Sequence, residues 1–485
     1  MKPGQHVSHP AFGAGVVSAV NLTGALKRAH VDFGYTQAWI VLDALEVLQE
    51  EIAGTPSSTP LEIHAPAPQP SDQDSAETFD AGDHKTVWLK TPTLPKSQTE
   101  ARKGIAALRL GQILESQALQ LSVGTEILQR QLREALTRSL AGKPTIMLID
   151  GAWGGGKTHA LTLLQALARE QHMTTCGAVM DGVAVTLSES MRLMEAIVSS
   201  LRIPGDESGD GLGHLLRTAK IEGRAPSLRA RGAHEVADAL DSLPPRTFDD
   251  PEALQCIEDY FSFALSATQV RRKLHLLGYE AAAPPVLMSR GVDERPRAFA
   301  VLLKCWAQTL AVMGGRGLLV VLDELDVEYA STAYSNRASW SLRARRRALL
   351  EQIKGLSVHN APLLIAFASA PAGPDVEIEN DAVEDVREAI GNELIHIKAA
   401  NPSEEDLKQL LARLMSLYET AYPDKTLGIV EQRASTLFAG LHARYRRALN
   451  PVPRHFVRTA LEVFDLLTVG EQSFDDLMQL LKASG

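Results

Sequence analysis

The stretch Thr145-Ile146-Met147-Leu148-Ile149-Asp150-Gly151-Ala152-Trp153-Gly154-Gly155-Gly156-Lys157-Thr158 decides the reading of this chain. Its first six residues are an unbroken apolar run ending in an acid, the pattern of a strand buried on both faces. Residues 151–158 fit G-x-x-x-x-G-K-T, and His-Ala-Leu-Thr-Leu-Leu-Gln-Ala-Leu-Ala-Arg-Glu (159–170) continues as an amphipathic helix. Glycines let backbone N–H groups turn inward around phosphates, and the helix that begins here aims its positive end at the same anion. Gly151, Gly154, Gly155 and Gly156 are therefore read as a phosphate cradle, with His159 counted beside it. Lys157 is the mobile charge for the β- and γ-phosphates and Thr158 the hydroxyl for Mg²⁺.

A second apolar run, Gly317–Leu322, ends in Asp323-Glu324. A strand that delivers two acids to the edge of a parallel sheet completes such a site: Asp323 for the metal's water shell, Glu324 as general base on the attacking water. Asp326 and Glu328 are read as solvated loop acids. A third run, Pro362–Ala368, ends in Ser369, either a partner of the γ-phosphate or water, or an ordinary strand end. Arg454, at the start of a C-terminal helix, either reaches back to the γ-phosphate or stays on the surface. Arg343, Arg345, Arg346 and Arg347 allow three readings: a finger acting in trans, a DNA contact, or a solvated helix face. Trp153 is read as a packing residue.

Outward from the site, residues 101–398 form an α/β core with a long insert at about 205–300, polar and mixed, with a helical stretch around Glu252–Leu277. Residues 399–485 form a helical lid. There Ser403 caps a helix with Asp406, and Leu407, Leu410, Leu411, Leu414 and Leu417 form its apolar stripe. Residues 51–100 hold seven prolines and eight acids against three lysines, the composition of a solvated acidic linker, in which the Trp88–Lys90 patch is a candidate docking point. Residues 1–50 alternate short β-rich runs with Gly13, Gly15, Gly24 and Gly34, which predicts a small β-barrel.

The 485 residues are 45% hydrophobic and 22% charged, the mix of a globular multidomain protein. The net charge of −10 does not suggest a general nucleic-acid coat, and it leaves room for a local basic groove. No apolar run approaches a membrane span, and the N-terminus lacks the apolar region of a signal peptide. Three cysteines, without a C-x-x-C, predict reduced thiols and a cytoplasmic protein without a zinc site.

The order of loop, insert, acidic strand, polar strand and helical lid resembles the AAA+/STAND side of the P-loop NTPases. Ile105–Gly111 (I-A-A-L-R-L-G), Gly151–His159 (G-A-W-G-G-G-K-T-H) and Arg316–Asp326 (R-G-L-L-V-V-L-D-E-L-D) are similar to the P-loop ATP-binding proteins of bacteriophage-exclusion (BREX) and related defence operons. The resemblance runs from about Arg102 to Leu467, and the separation of 166 positions from Lys157 to Asp323 agrees with it. It implies ATP and Mg²⁺, an AAA+-like core, and work beside helicase-like or DNA-modifying partners in phage defence. Gly4–Val20, Ala29–Gly34 and Trp39–Leu48 resemble the Tudor-like domain of UvrD-type helicases and the polymerase-interaction module of CarD-type regulators, through His9, Pro10, Phe12, Gly13 and Gly15. With three basic residues against four acids in 1–50, the resemblance implies docking to a protein (helicase, polymerase or another defence subunit) rather than to nucleic acid.

Together these readings predict a multidomain α/β ATP hydrolase: a parallel-sheet P-loop core, a helical lid and a small N-terminal barrel, cytoplasmic and homo-oligomeric, acting on DNA or a DNA-acting partner. The alternatives are a slow or non-hydrolysing nucleotide switch that sets oligomeric state, and a scaffold that recruits polymerase or a helicase. A large lid and insert with no visible acceptor site argue against a small-molecule kinase.

Overall fold

The computed structural model describes residues 5–9, 13–21, 28–32, 37–41, 46–47 and 98–483, except 153, 205–210, 287–290, 292, 333–337, 371–381, 400, 426, 430, 449–451 and 470–472. The linker up to residue 97, the Trp88–Lys90 patch, Trp153, Pro10, Phe12, Gly24 and Gly34 lie outside these. The chain divides into two compact units, Met1–Lys85 and Thr86–Gly485.

In the first unit, β1 (His6–His9), β2 (Gly13–Asn21), β3 (Arg28–Asp32), β4 (Gln37–Val41) and β5 (Glu46–Val47) form an antiparallel sheet in the order β4-β3-β2-β1-β5. A bulge lies between Val17 and Ala19, and Val7 and Val17 are buried. The three β-rich runs of the sequence are β2, β3 and β4, β1 and β5 extend the sheet beside them, and among the described residues no pairing of β4 with β5 closes it into a barrel.

The second unit opens with α1 (Gln98–Arg109), α2 (Glu115–Leu121) and α3 (Glu126–Leu140), then β6 (Thr145–Asp150) and α4 (Lys157–Glu170). The remaining strands are β7 (Thr174–Val179), β8 (Leu318–Asp323), β9 (Leu363–Ser369) and β10 (Leu394–Lys398). All run parallel, in the order β10-β6-β9-β8-β7. Strand alternation sends Ile146, Leu148, Val320, Leu322, Ile365 and Phe367 into one core and Met147, Ile149, Leu319, Val321, Leu364 and Ala366 into another. Each face is covered by helices, which is why β6, β8 and β9 read as continuous apolar runs. The architecture is a helix-rich α/β unit on a five-stranded parallel sheet, consistent with a P-loop NTPase core.

The elements of the described insert are all helices, and it shares the first of these cores. Its predicted stretch around Glu252–Leu277 is two helices, Pro251–Phe261 and Ala267–Leu276. Asp250 caps the first by accepting from Glu252 and Ala253, and a Ser266–Gln269 capping box restarts the second. Both caps satisfy backbone groups that a single continuous helix would not expose.

The C-terminal helices Glu404–Ala421, Glu431–Arg447, Pro453–Val469 and Phe474–Ala483 close around a third core. Ser403 and Asp406 form the expected capping box, and all five leucines of the stripe are buried. Ala101, Ile105 and Leu108 of α1 belong to this core, so the lid's apolar interior includes a helix that precedes the sheet in sequence. A boundary near residue 399 therefore does not separate the cores. Arg109 donates to Asp465 at 2.7 and 2.9 Å, and the Tyr418 hydroxyl donates to the same carboxylate at 2.8 Å. The three elements are tied at one acid.

Candidate nucleotide site

In a parallel sheet, ligands settle beyond the carboxyl ends of the strands, where connections leave in opposite directions. β6 is such a place: the chain leaves it for the far edge at β7, whereas β10 is added on its other side. The register sets Asp150 level with Ser369 and Lys398, and Asp323 level with Val179, so the predicted polar residues share one edge. β9 lies between β6 and β8, placing Ser369 between the loop strand and the acidic strand.

The loop after β6 turns on Gly155 N–H donating to Ala152 O at 2.9 Å. Gly156 sits at φ +94° with nothing near its missing Cβ, so conformation alone demands glycine. It also caps α4 without a side-chain acceptor, leaving that helix's first N–H groups to an anion. Lys157 is buried, and its Nζ donates to Gly151 O at 3.0 Å and Ala152 O at 3.2 Å. Burial lowers its pKa, against the pull of Asp326, Asp323 and Glu324.

Asp323 is also buried. Burial raises its carboxyl, opposed by a hydrogen bond with the Thr158 side chain, by Glu324 N–H at 2.9 Å and by Lys157. Thr158 and Asp323 thus meet, as a hydroxyl–carboxylate pair for one metal ion requires. Glu324 adopts φ +57°, a left-handed conformation uncommon outside glycine. The kink turns the chain from strand into the helix Leu325–Thr332 and leaves Glu324 exposed on the cavity. Its carboxyl is raised by desolvation and by the negative charge of Asp323 and Asp326. Such a shift moves a base toward its working range.

These groups line a cavity of about 420 Å³. Arg454, exposed on the first turn of Pro453–Val469, lines it too and acts electrostatically on both Lys157 and Glu324. The apolar wall comes from Ile113, Val123, Leu128, Leu410 and Val457. These are far apart in sequence and carry no motif; Leu410 was legible only as part of the lid's leucine stripe, and the others only as apolar residues of the α1–α3 segment and the last helices. His159 lines the cavity and bonds Ser122 Oγ at 2.8 Å, and burial brings its imidazole down to about 4, so it enters as a neutral group. Ser369 is fully buried, its Oγ donating to Ala370 O at 3.2 Å, and it does not line the cavity.

Two expectations are corrected. Asp326 and Glu328 are not solvated. Asp326 lines the cavity and accepts from Ala370 N–H at 2.8 Å. Glu328 is buried and accepts from Leu187 N–H at 2.7 Å and Ser188 N–H at 3.3 Å. Both acids at this helix start are engaged by backbone donors from other segments. Nor do Arg343, Arg345, Arg346 and Arg347 form one basic face. Arg346 is buried with its guanidinium 3.9 Å from the Tyr329 ring centre, Arg345 pairs with Glu189 and Arg347 with Glu351. A helix turns about 100° per residue, so four arginines in five positions point in different directions.

The residues fit a magnesium nucleotide. Among the described residues no group of three or more His, Cys, Asp or Glu could hold a metal, whereas Mg²⁺ takes one or two protein groups and completes its shell with phosphates and water. The Thr158–Asp323 pair offers that number.

Similarity to known proteins agrees with this geometry. The chain is similar to the BREX system ATP-binding protein BrxC/D family over residues 97–241. The BrxC/D match begins at α1 and takes in β6, the glycine loop, α4 and β7, but not the acidic strand. No curated protein matches the chain. Among solved structures, a chain of the E. coli MS115-1 HORMA:CdnC:Trip13 complex is 11% identical, covering 72% of this chain and 91% of its own at a TM-score of 0.31. The three cysteines are free and buried, and among the described residues no helix is long and apolar enough to cross a membrane.

Proposed function

We propose that the chain is a Mg²⁺-dependent ATPase of a bacterial phage-defence system, coupling nucleotide binding and hydrolysis to work on DNA or on a DNA-acting partner. The observation that carries the reading is the convergence of Lys157, Thr158, Asp323, Glu324 and Arg454 on one cavity at the carboxyl edge of a parallel sheet. Similarity to an ATP-binding BREX family supports the nucleotide and the defence context.

Thr158 and Asp323 would hold Mg²⁺, which supplies charge neutralisation at the phosphates. Lys157 and the first N–H groups of α4 bind the phosphate chain. The apolar wall takes the base and excludes water. Glu324 accepts the proton of the attacking water, its raised pKa matching that task. Arg454 supplies positive charge from the lid, so closure of the lid and assembly of the site are one event. The N-terminal sheet is proposed as the docking module for a protein partner, and homo-oligomerisation as the working state.

ATP hydrolysis with and without DNA tests this. Lys157→Ala should lose ATP binding without unfolding. Glu324→Gln should keep ATP binding and lose roughly two to four orders of magnitude in rate. Turnover unchanged in Lys157→Ala would overturn the nucleotide site. A parent that binds ATP yet never turns it over would leave a nucleotide switch.

A further inference from the structure

From the described geometry and the charge distribution we infer that the lid carries a binding surface for a nucleic-acid phosphate backbone, formed by Arg444, Arg446, Arg447 and Arg458. The window Gln432–Leu461 holds six arginines and no aspartate or glutamate, in a chain of net charge −10. That is a marked departure from the overall balance, and it falls on two helices rather than on a linker.

The helices are held together at that place. The Tyr445 ring meets the Phe456 ring edge-on at 6.2 Å, and Phe438 contacts Phe456 at 6.2 Å. The last turn of Glu431–Arg447 is thus fixed beside the first turns of Pro453–Val469. Tyr445 and Phe456 are buried, and the residues flanking them point outward: Arg444, Arg446, Arg447, His455 and Arg458 are all exposed. Among the described residues Arg444, Arg446 and Arg458 make no ion pair, whereas Arg109, Arg217, Arg224, Arg229 and Arg387 each have a carboxylate partner. Of the acids nearby, Glu404 of a packed helix lies 3.9 Å from His442 on the inner side of the same helix, and exposed Glu462 stands one turn after Arg458 on its own helix.

Like charges gathered in excess of acids repel one another, and a surface of this kind gains when a polyanion neutralises several at once and releases its counterions. Arginine's fork suits phosphate oxygens. The choice of a nucleic acid over an acidic protein follows from what surrounds the charges. The side chains stand exposed on two adjoining helices, and among the described residues of the window no large exposed apolar side chain offers a protein interface core. Arg454, in the same window, faces the nucleotide cavity one helical turn before Arg458. Backbone contact at Arg458 and charge at the phosphates would then be borne by one rigid helix. The surface rests on the proposed reading only for that link to nucleotide, so binding is measured first without nucleotide.

The test uses the full chain and fluorescent probes of about 30 nucleotides: duplex DNA, single-stranded DNA and RNA, each over a range of salt. Arg444→Ala, Arg446→Ala, Arg447→Ala and Arg458→Ala are combined, with Arg454 kept. The parent should bind at least one probe. The quadruple variant should bind it at least tenfold more weakly. On a duplex, its slope of log affinity against log salt should flatten by about 0.9 for each phosphate no longer neutralised. Its melting temperature and ATP binding should stay at the parent's. A control with Arg343, Arg345 and Arg347 replaced by Ala should bind as the parent does. Equal binding by parent and quadruple variant overturns the assignment, as does a parent that binds none of the probes at about 50 mM salt. Preferential capture of a polyglutamate peptide over every nucleic acid would also overturn it. If ATP turnover fails in every protein while DNA binding follows the arginines, the hydrolysis reading falls and this surface stands.

Discussion

Asp323 is buried beside Lys157 with its carboxyl raised above the ordinary range, so its ionised form is the costly one. That cost is absent below about pH 4, where the unfolded carboxyl is protonated, and grows as pH rises through the folded value. It is complete once pH exceeds the folded value. Asp323→Asn should therefore raise the melting temperature of the protein at pH 7 while abolishing Mg²⁺-dependent turnover. The gain should shrink as pH falls toward 4; thermal melts of both proteins across that range check it. A site that gives up stability for its charge is the expected pattern for a functional acid. Asp326 belongs to the same cluster by a different route. Its carboxylate joins the cavity to the backbone at Ala370, just past Ser369, so Asp326→Ala should lower the rate more than the affinity for ATP, read as a split between kcat and KM. Sequence spacing gave no warning of this, because a loop acid and a backbone clamp look alike until the partner segment is placed.

At the scale of elements, the lid is fastened to the segment that precedes the sheet. Arg413 donates to Gln120 O at 2.6 Å and to Ser122 O at 2.7 Å, satisfying the last carbonyls of α2. Gly111, at φ +74°, lies where a Cβ would meet Arg454 Cδ and Nε at 2.6 Å. Gly111→Ala should cost about 1–2 kcal/mol for the left-handed conformation and displace Arg454, lowering turnover; a melt and an ATPase assay on the same sample check both effects. These contacts of the α1–α2 segment were not legible in the sequence, since their partners lie some 300 residues away. Strands β6, β8 and β9 were legible because burial on both faces writes an apolar run. β10 was missed because His396 and Lys398 interrupt it, and β7, Thr174-Thr175-Cys176-Gly177-Ala178-Val179, because an edge strand needs less apolar surface. The arginine run at 343–347 shows the converse limit: composition reveals charge, and only packing reveals that Arg346 lies against Tyr329.

Across the whole molecule, division into two compact units predicts that residues 86–485 fold without residues 1–85 and bind ATP with the parent's affinity. Calorimetry on the shortened chain checks this. The strand order carries a further consequence, concerning the time at which the protein is made. β6 pairs only with β9 and β10 among the described strands, so the strand that bears the glycine loop has no sheet neighbour until Leu363 and beyond have been translated. At roughly 5–20 residues per second, the interval from Asp150 is on the order of 10–40 s, during which a wholly buried-to-be strand waits on the ribosome. Nascent chains stopped near residue 300 should therefore be recovered bound to chaperones and unable to retain ATP, although they contain the entire phosphate loop and the whole stretch similar to BrxC/D.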